Sequence, residues 1–507
     1  MATLKELRHE RLRKLNELLK LGINPYPAVS NRTNSVLDIL SNYDQFQNEV
    51  VVLAGRIQNI RKFGKISFIV IKDQDAKIQL FLEKNVLKSR DNNLDSSQID
   101  YSLINLLDGG DFIEAKGLVS KTKTGEISIL VESLRILTKT LRPLPTIQDG
   151  FSNKEERLRR RYVDINVNED VKQRFIRRSK FWQNVREYLL KNNFIEINIP
   201  VLEHTTGGAE ASPFITHMDS LNQDFYLRIS HELPLKRLIG SGYERVFDIG
   251  PRFRNENYSD EHLPEHIAME SYMAYQNFDQ AIDFYEDMLK STIQSTWNKL
   301  EFKVKNFKIN LDQKWPRISY PDILEEKFGV DVFHPDLAQM KEILANNKVI
   351  LDGEINIPRA MDNLWKLIRK ELAGPLWLLY EPVLISPLAK VDPKDPRLSL
   401  RFHPVFLGTE MGNGYAELND PVDQLKRFVD QQKLRDSGDN EAQMLDIDFV
   451  EMLEYGMPPT CGWGISERIF WALEGVSARE GVPFPNLRYE IDKTTKSIYS
   501  EIFKKNG

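Results

Sequence analysis

Between Phe247 and Tyr272 the sequence reads FDIGPRFRNENYSDEHLPEHIAMESY, a concentration of residue types that bind anions and exchange protons. Arg252 and Arg254 alternate around Phe253. On a strand, where successive side chains point to opposite faces, both guanidiniums therefore share one face. Glu256 continues that face into a loop rich in Asn, Ser, Asp and His, and Met269 to Tyr272 return as an apolar and polar alternation. A strand, a polar loop and an antiparallel strand would present arginine, a carboxylate and the imidazoles of His262 and His266 at one mouth. Guanidiniums fixed on a sheet suit a phosphate oxyanion, which they can grip bidentately. A surface ion-pair ladder is the other reading open for these residues alone.

Such residues need a sheet to hold them and helices to cover it. VKQRFIRRSKFWQNVREYLLKNN reads as a long helix and FIEINIPVL as a strand ending at Pro200, and the remainder mixes strands and helices without βαβ regularity. No GxGxxG follows a strand and GxxxxGK(S/T) is absent, so neither a Rossmann nor a P-loop nucleotide site is expected. Upstream, VVLAGRIQNI, ISFIVIKD, KIQLFLE, DFIEAKGLV and EISILVESLRIL are β-branched, alternating and punctuated by Gly, Asp and Lys, which predicts a five-stranded barrel of the oligonucleotide-binding kind. Phe68 and Phe81 fall on adjacent strands of it, as core or as a base-stacking platform. Leucines at helical spacing from Leu4 to Leu21, stopped by Gly22, Pro25 and Pro27, predict an amphipathic helix whose basic face is solvated or meets RNA. The expected division is a helix within 1–30, a barrel at 45–142, a basic linker at 143–170 and an α+β domain at 171–507 with a helical insertion at about 280–380.

Composition bounds the rest. The 507 residues exceed one domain at ~100–200 residues each. With 28% charged and 41% hydrophobic residues, a disordered or fibrous chain is excluded. The 69 basic against 74 acidic residues leave a net charge of −5, so any nucleic-acid site must be local. The single cysteine, Cys461, excludes an intrachain disulfide and a cysteine-built zinc site and fits a reducing compartment. A charged N-terminus and the lack of a run of ~18 apolar residues predict a cytoplasmic chain with no membrane partner.

FRNE after a strand, NNFIEINIPVL with its preceding helix, and GISER near the C-terminus resemble motifs 2, 1 and 3 of the class II aminoacyl-tRNA synthetases, in that family's order for a chain running 1, 2, 3. GINPYP, GGAEASPFITH, YLRISHELPLKRLIGSGYERVFDIG, SPLAK and AELNDPVDQLKRFVDQQKLRDSGD extend the resemblance, end to end, to the lysyl-tRNA synthetase branch. It implies an OB-fold anticodon-binding barrel followed by a catalytic domain with a large antiparallel sheet flanked by helices, using ATP, Mg²⁺, L-lysine and tRNA(Lys), and dimerising through motif 1, about Val171 to Leu202.

By the same resemblance Arg254 grips the α-phosphate and the substrate carboxylate, Glu256 reads the adenine amino group, and His262 and Arg468 meet the outer phosphates. Glu410 is a magnesium ligand, and Arg254, Arg468 and Glu410 form the catalytic set. Gly208, Glu270 and Asn413 hold the α-amino end of lysine, and Glu232, Tyr272, Tyr415 and Glu417 surround its side chain. Phe68, Gln79 and Phe81 face the anticodon, which is expected to be U-rich. A buried ammonium needs carboxylate partners, so two acids in SHELP and GYAELND favour lysine over aspartate or asparagine.

Three positions depart from the family. His403 stands where an acidic magnesium ligand is expected, leaving His403 with Glu410 or Glu410 alone at the metal. His266 replaces the phenylalanine that stacks on adenine in the ATP site. TCGWGISER is one residue short, which could move Arg468. The alternatives left open are a catalytically weakened paralogue that binds tRNA or lysine, an aspartyl- or asparaginyl-tRNA synthetase, and a barrel-based RNA-binding protein.

Overall fold

Alternation in the N-terminal third builds a closed barrel. The computed structural model describes residues 3–89, 96–122, 124–145, 151–256, 259, 262–349, 355–438 and 441–503. Strands run in the order Lys77–Glu83, Ile66–Lys72, Val50–Phe63, Phe112–Lys121, Ile127–Thr138, and the first pairs in parallel with the last to close the cylinder. The two-residue strand Gln98–Ile99 lies on its margin. Ile69 and Ile71, Leu80 and Leu82, and Ile113 and Ala115 point inward and are fully buried, as a period of two requires. On the outward face, Arg61, Phe68 and Phe81 stand in one cross-strand row and Val70, Gln79 and Ser128 in the next.

The N-terminal helix Leu4–Lys20 starts at a capping box in which Thr3 and Glu6 satisfy each other's backbone amides. Two of its basic residues are tied to the barrel: Arg11 donates to Thr140 Oγ1 at 2.6 Å, and Lys14 to Asp108 at 2.7 Å. They are therefore anchors of this helix.

Chain contacts divide the molecule into Met1–Val167 with Arg488–Gly507, and Asn168–Leu487. The second unit is organised on a nine-stranded sheet, ordered Arg317–Ser319, Leu376–Leu379, Arg401–Phe406, Gly412–Ala416, Thr460–Ser466, Glu265–Ala274, Arg245–Phe253, Ile195–Glu196, with Thr409–Glu410 paired to Arg401–Phe406. Its interior pairings are antiparallel and its two outermost pairings parallel. One face is aromatic and dry: Phe247, Met269, Trp377, Phe402 and Trp463 pack against helices Glu169–Lys191, Phe278–Trp297 and Arg468–Glu474 through Phe181, Tyr285 and Phe470. Each such side chain contributes about 1.5–3 kcal/mol on burial. The stretch from about 280 to 380 holds helices and also two of the sheet's strands. Among the described residues no helix is long and apolar enough to cross a membrane.

Candidate active site

The opposite face of the same sheet carries the polar residues, because each strand alternates. On Glu265–Ala274, Met269 and Met273 enter the core, which turns His266, Glu270 and Tyr272 the other way. On Thr460–Ser466, Cys461, Trp463 and Ile465 are the core residues, so Gly462 and Gly464 lie on the polar side. Register then aligns Glu270, Gly464 and Asn413 in one row and Tyr272, Gly462, Tyr415 and Arg401 in the next. A Cβ at Gly462 would overlap the Tyr272 ring and Glu417 Oε1, so this glycine leaves the space both side chains occupy. Gly208 has φ of +81° and lies against Glu232 and Ser230, so a side chain there is excluded twice over.

Above these rows opens a cavity of about 310 Å³. One end is acidic, lined by Glu232 and Glu417, and the other carries Arg252, Arg254 and Arg468. Glu232 Oε1 accepts from Lys236 Nζ at 2.5 Å and from the Tyr415 hydroxyl, while Glu417 Oε2 pairs with the same Lys236. Burial pushes both carboxyls above the usual carboxylate range, Glu417 the further, against the pull of Lys236. Glu270 differs. Burial raises it too, but the hydrogen bond and charge of His231 and the charge of Arg252 hold it down at about 2. Its oxygens accept from Ser230 Oγ at 2.9 Å, the His231 amide at 3.2 Å and the Tyr272 hydroxyl at 3.2 Å.

At the basic end three guanidiniums converge. Burial, then the like charges of Arg254 and Arg468, push Arg252 down to about 9. A guanidinium stays protonated at neutral pH, so this cost persists as repulsion that an incoming anion would relieve. Arg254 Nε is shielded from solvent without a hydrogen-bond partner. Arg252 donates from Nε to His266 Nε2 at 2.8 Å, and burial followed by the three arginines pushes His266 well below its ordinary value. His266 is thus a neutral imidazole, beside Glu256, His262, Leu263 and Trp471 in a small side pocket. Glu256 is half-buried and raised by that burial, with Arg254 drawing it back. Arg468, first residue of its helix, borders this pocket and the main cavity despite the short strand before it.

Glu410 borders the main cavity and a larger, more open one of about 850 Å³. Burial raises its carboxyl, yet His403 and Arg369 bring it below the ordinary value, and Oε1 accepts from the Trp365 indole. His403 turns Nδ1 to the Gly412 carbonyl at 3.2 Å and Nε2 to Glu381 at 3.0 Å, and lies 3.8 Å from Glu410. Glu381 also pairs with Arg401 at 2.7 Å. Among the described residues no group of three His, Cys, Asp or Glu could by itself hold a metal ion. A cation here would fit Glu410 with oxygens brought by a phosphate.

The structure thus gathers all eight residues expected around lysine on one cavity, and those expected around the nucleotide at its basic end and side pockets. In the barrel, the Phe68 and Phe81 rings stand 5.2 Å apart, partly open, with Phe63 at 6.1 Å from Phe68. Gln79 is buried and donates to Ser128 Oγ at 3.1 Å. The sequence reading did not single out Lys236, Arg401, Glu381 or Ser230. Lys236 was findable, four residues after Glu232 on a helix, whereas Arg401 and Glu381 come together only through the sheet.

The model of the family described as tRNA synthetases class II (D, K and N) matches residues 153–488, and that of the OB-fold nucleic acid binding domain matches residues 51–137. The chain belongs to the class II tRNA synthetases. Among curated relatives, the lysine–tRNA ligase of Fervidobacterium nodosum is 40% identical over 99% of this chain and 99% of its own length. That of Thermotoga maritima is 38% identical over 95% and 96%, and that of Carboxydothermus hydrogenoformans 38% identical over 96% and 98%. The arginine-lined end of the cavity is built from the segments PRFRNE and GISER, and the acidic end from SHELP and GYAELND.

Proposed function

We propose that the protein is a lysine–tRNA ligase, which joins L-lysine to tRNA(Lys) at the cost of ATP. The observation that carries this reading is a single cavity with two buried glutamates, Glu232 and Glu417, at one end and three arginines at the other. A lysine side chain puts its ammonium on the acids, while its carboxylate and a nucleotide phosphate reach the guanidiniums. An aspartate or asparagine side chain would leave two buried carboxylates facing an anion or an amide, which low dielectric penalises heavily.

The first step needs no general base, because the lysine carboxylate is ionised at neutral pH. Its oxygen attacks the α-phosphorus, the bond to the bridging oxygen breaks, and pyrophosphate leaves, giving lysyl-adenylate. Arg254 neutralises charge at the reacting phosphate and carboxylate, Arg252 relieves its own repulsion on the incoming anion, and Arg468 with His262 holds the outer phosphates. Glu256 accepts the adenine amino group, and His266 covers the base. Glu270 and Asn413 orient the α-amino group beside Gly208, and Tyr272 and Tyr415 wall the side chain. A ribose hydroxyl of the tRNA 3′ end then attacks the lysyl carbonyl, and AMP departs.

Mg²⁺ supplies charge neutralisation for the phosphates when bound, and Glu410 is the side chain that would hold it. Of the two ligand candidates, His403 has Nδ1 on the Gly412 carbonyl and Nε2 3.0 Å from Glu381, so it pairs with that acid instead. On the barrel, Phe68 and Phe81 supply a stacking surface for anticodon bases, Arg61 a charge in the same row, and Gln79 an edge reader only if it releases Ser128.

The proposal extends to a homodimer through motif 1, supported by the exposure of Leu190, Ile195 and Leu202 along that stretch. Sedimentation tests it: a species of twice the 59.0 kDa chain is expected, and a monomer at micromolar concentration contradicts it. A cytoplasmic setting is supported by the single, buried Cys461, whose thiol burial pushes up to about 12. Lysine-dependent exchange of pyrophosphate into ATP tests the whole reading.

A further inference from the structure

Lys236 lies one turn beyond Glu232 on the helix Glu232–Gly240 and is completely buried. Its ammonium donates to Glu232 Oε1 at 2.5 Å, pairs with Glu417 Oε2, and sits 5.1 Å from the Tyr415 ring centroid and 5.9 Å from that of Phe449. Glu232, Glu417, Tyr272 and Tyr415 line the cavity, whereas Lys236 stands behind them. Both acids are therefore placed between a resident ammonium at the back and the cavity in front. Glu417 Oε1, sealed from solvent, has no hydrogen-bond partner within the protein.

Two carboxylates this close, away from water, do not both ionise without a cation between them; they share a proton instead. A shared proton is the wrong feature to show to an arriving ammonium, since it places a donor where acceptors are required. We propose that Lys236 is a specificity-setting positioning residue: its fixed ammonium keeps Glu232 and Glu417 ionised together, so that the pocket offers one uncompensated negative charge matched to a single substrate ammonium. The proposal rests on the lysine reading of this cavity. Two carboxylates less one resident ammonium leave −1, and the substrate's ammonium closes the count.

The other titratable groups facing this pair do not supply that cation. Glu270 and Tyr272 come from the strand Glu265–Ala274, Tyr415 from Gly412–Ala416 and Cys461 from Thr460–Ser466. Glu270 is already committed to Ser230, His231 and Tyr272. Burial pushes both tyrosine hydroxyls well above their ordinary value and the Cys461 thiol to about 12, so all three are neutral. From the helix Ile447–Tyr455 the neighbour is the uncharged Phe449.

The test begins with the wild-type protein. If it shows no lysine-dependent ATP–pyrophosphate exchange, the reading of the cavity fails and this inference falls with it. If it does, Lys236→Met keeps the length and the apolar stem and removes only the charge. The expected result is a rise of about 30-fold or more in KM for lysine, with kcat and KM for ATP within a few-fold. Lys236→Ala removes the atoms from Cγ to Nζ, which n-propylammonium replaces. That cation should recover lysine use at least about 5-fold, and n-propanol should not. An unchanged KM for lysine in Lys236→Met, or equal effects of propylammonium and propanol, would overturn the proposal. Should both variants fail to fold, calorimetry of lysine binding to the wild type at pH 8 in two buffers of different ionisation enthalpy decides. Release of less than about half a proton is expected if the pair is already ionised, and release of a full proton would overturn it.

Discussion

Arg252 donates its Nε–H to His266 Nε2 across 2.8 Å, and this bond fixes the imidazole as the neutral tautomer beside the nucleotide pocket. Under the proposed reading His266 covers the adenine, and the structure adds that it orients one of three converging arginines. His266→Phe would cover more of the base but leave a buried guanidinium N–H unpaired, at a cost of about 1–3 kcal/mol. The expected outcome is a lower melting temperature and a higher KM for ATP, with His266→Gln, which keeps an acceptor, closer to wild type. Thermal melting and exchange kinetics over ATP concentration check both.

Glu417→Gln removes one of the two acids that face Lys236 and the cavity. Truncating one partner of a buried charge pair costs about 2–5 kcal/mol, so KM for lysine should rise at least about 30-fold while KM for ATP stays within a few-fold. Unchanged lysine kinetics would remove Glu417 from the ammonium site.

Acid weakens lysine binding, with a sign set by the same pair. Burial raises Glu232 and Glu417 above their ordinary value of 4.5 in the free protein. Lys236 opposes that rise without cancelling it, so ionisation of the pair costs stability as pH rises through the raised range. The ammonium binds the ionised form. KM for lysine should accordingly fall as pH rises from the acid side toward neutrality. It should level once the pair is ionised and climb again as the substrate's α-ammonium and then its side-chain ammonium, near ~10.4, deprotonate. Added lysine should stabilise the protein most on that plateau, which melting curves across pH will show.

Much of this was legible in the sequence because it follows from local rules. Period-two alternation revealed the five barrel strands, and the spacing of Arg252 and Arg254 placed both on one face of the sheet that the structure shows. The nine-stranded order was not legible, since strands from Ile195 to Ser466 meet through contacts far apart in the chain. For the same reason Arg401 and Glu381, an ion pair made where the chain leaves the strand Leu376–Leu379 that pairs with Arg401–Phe406, carried no signal. The resemblance implies that Gln79 faces the anticodon; it stands on the outward row, but its hydrogen bond to Ser128 depends on the barrel closing.

The barrel and the cavity should separate in function. Phe68→Ala removes a ring that packs on Phe81 at the outward face. Stacking is worth about 1–3 kcal/mol per base, so KM for tRNA in aminoacylation should rise about 5- to 140-fold. Amino-acid activation without tRNA should be unchanged. A parallel loss of activation would mean that the substitution damages the fold instead.

Amino-acid-dependent exchange of labelled pyrophosphate into ATP, run with purified protein, Mg²⁺ and one amino acid at a time, tests the central claim most directly. Exchange with lysine is expected, with background rates for aspartate and asparagine and loss of exchange in Arg254→Ala. Exchange driven by aspartate or asparagine, or no exchange with lysine by a protein that still binds tRNA(Lys), would contradict it.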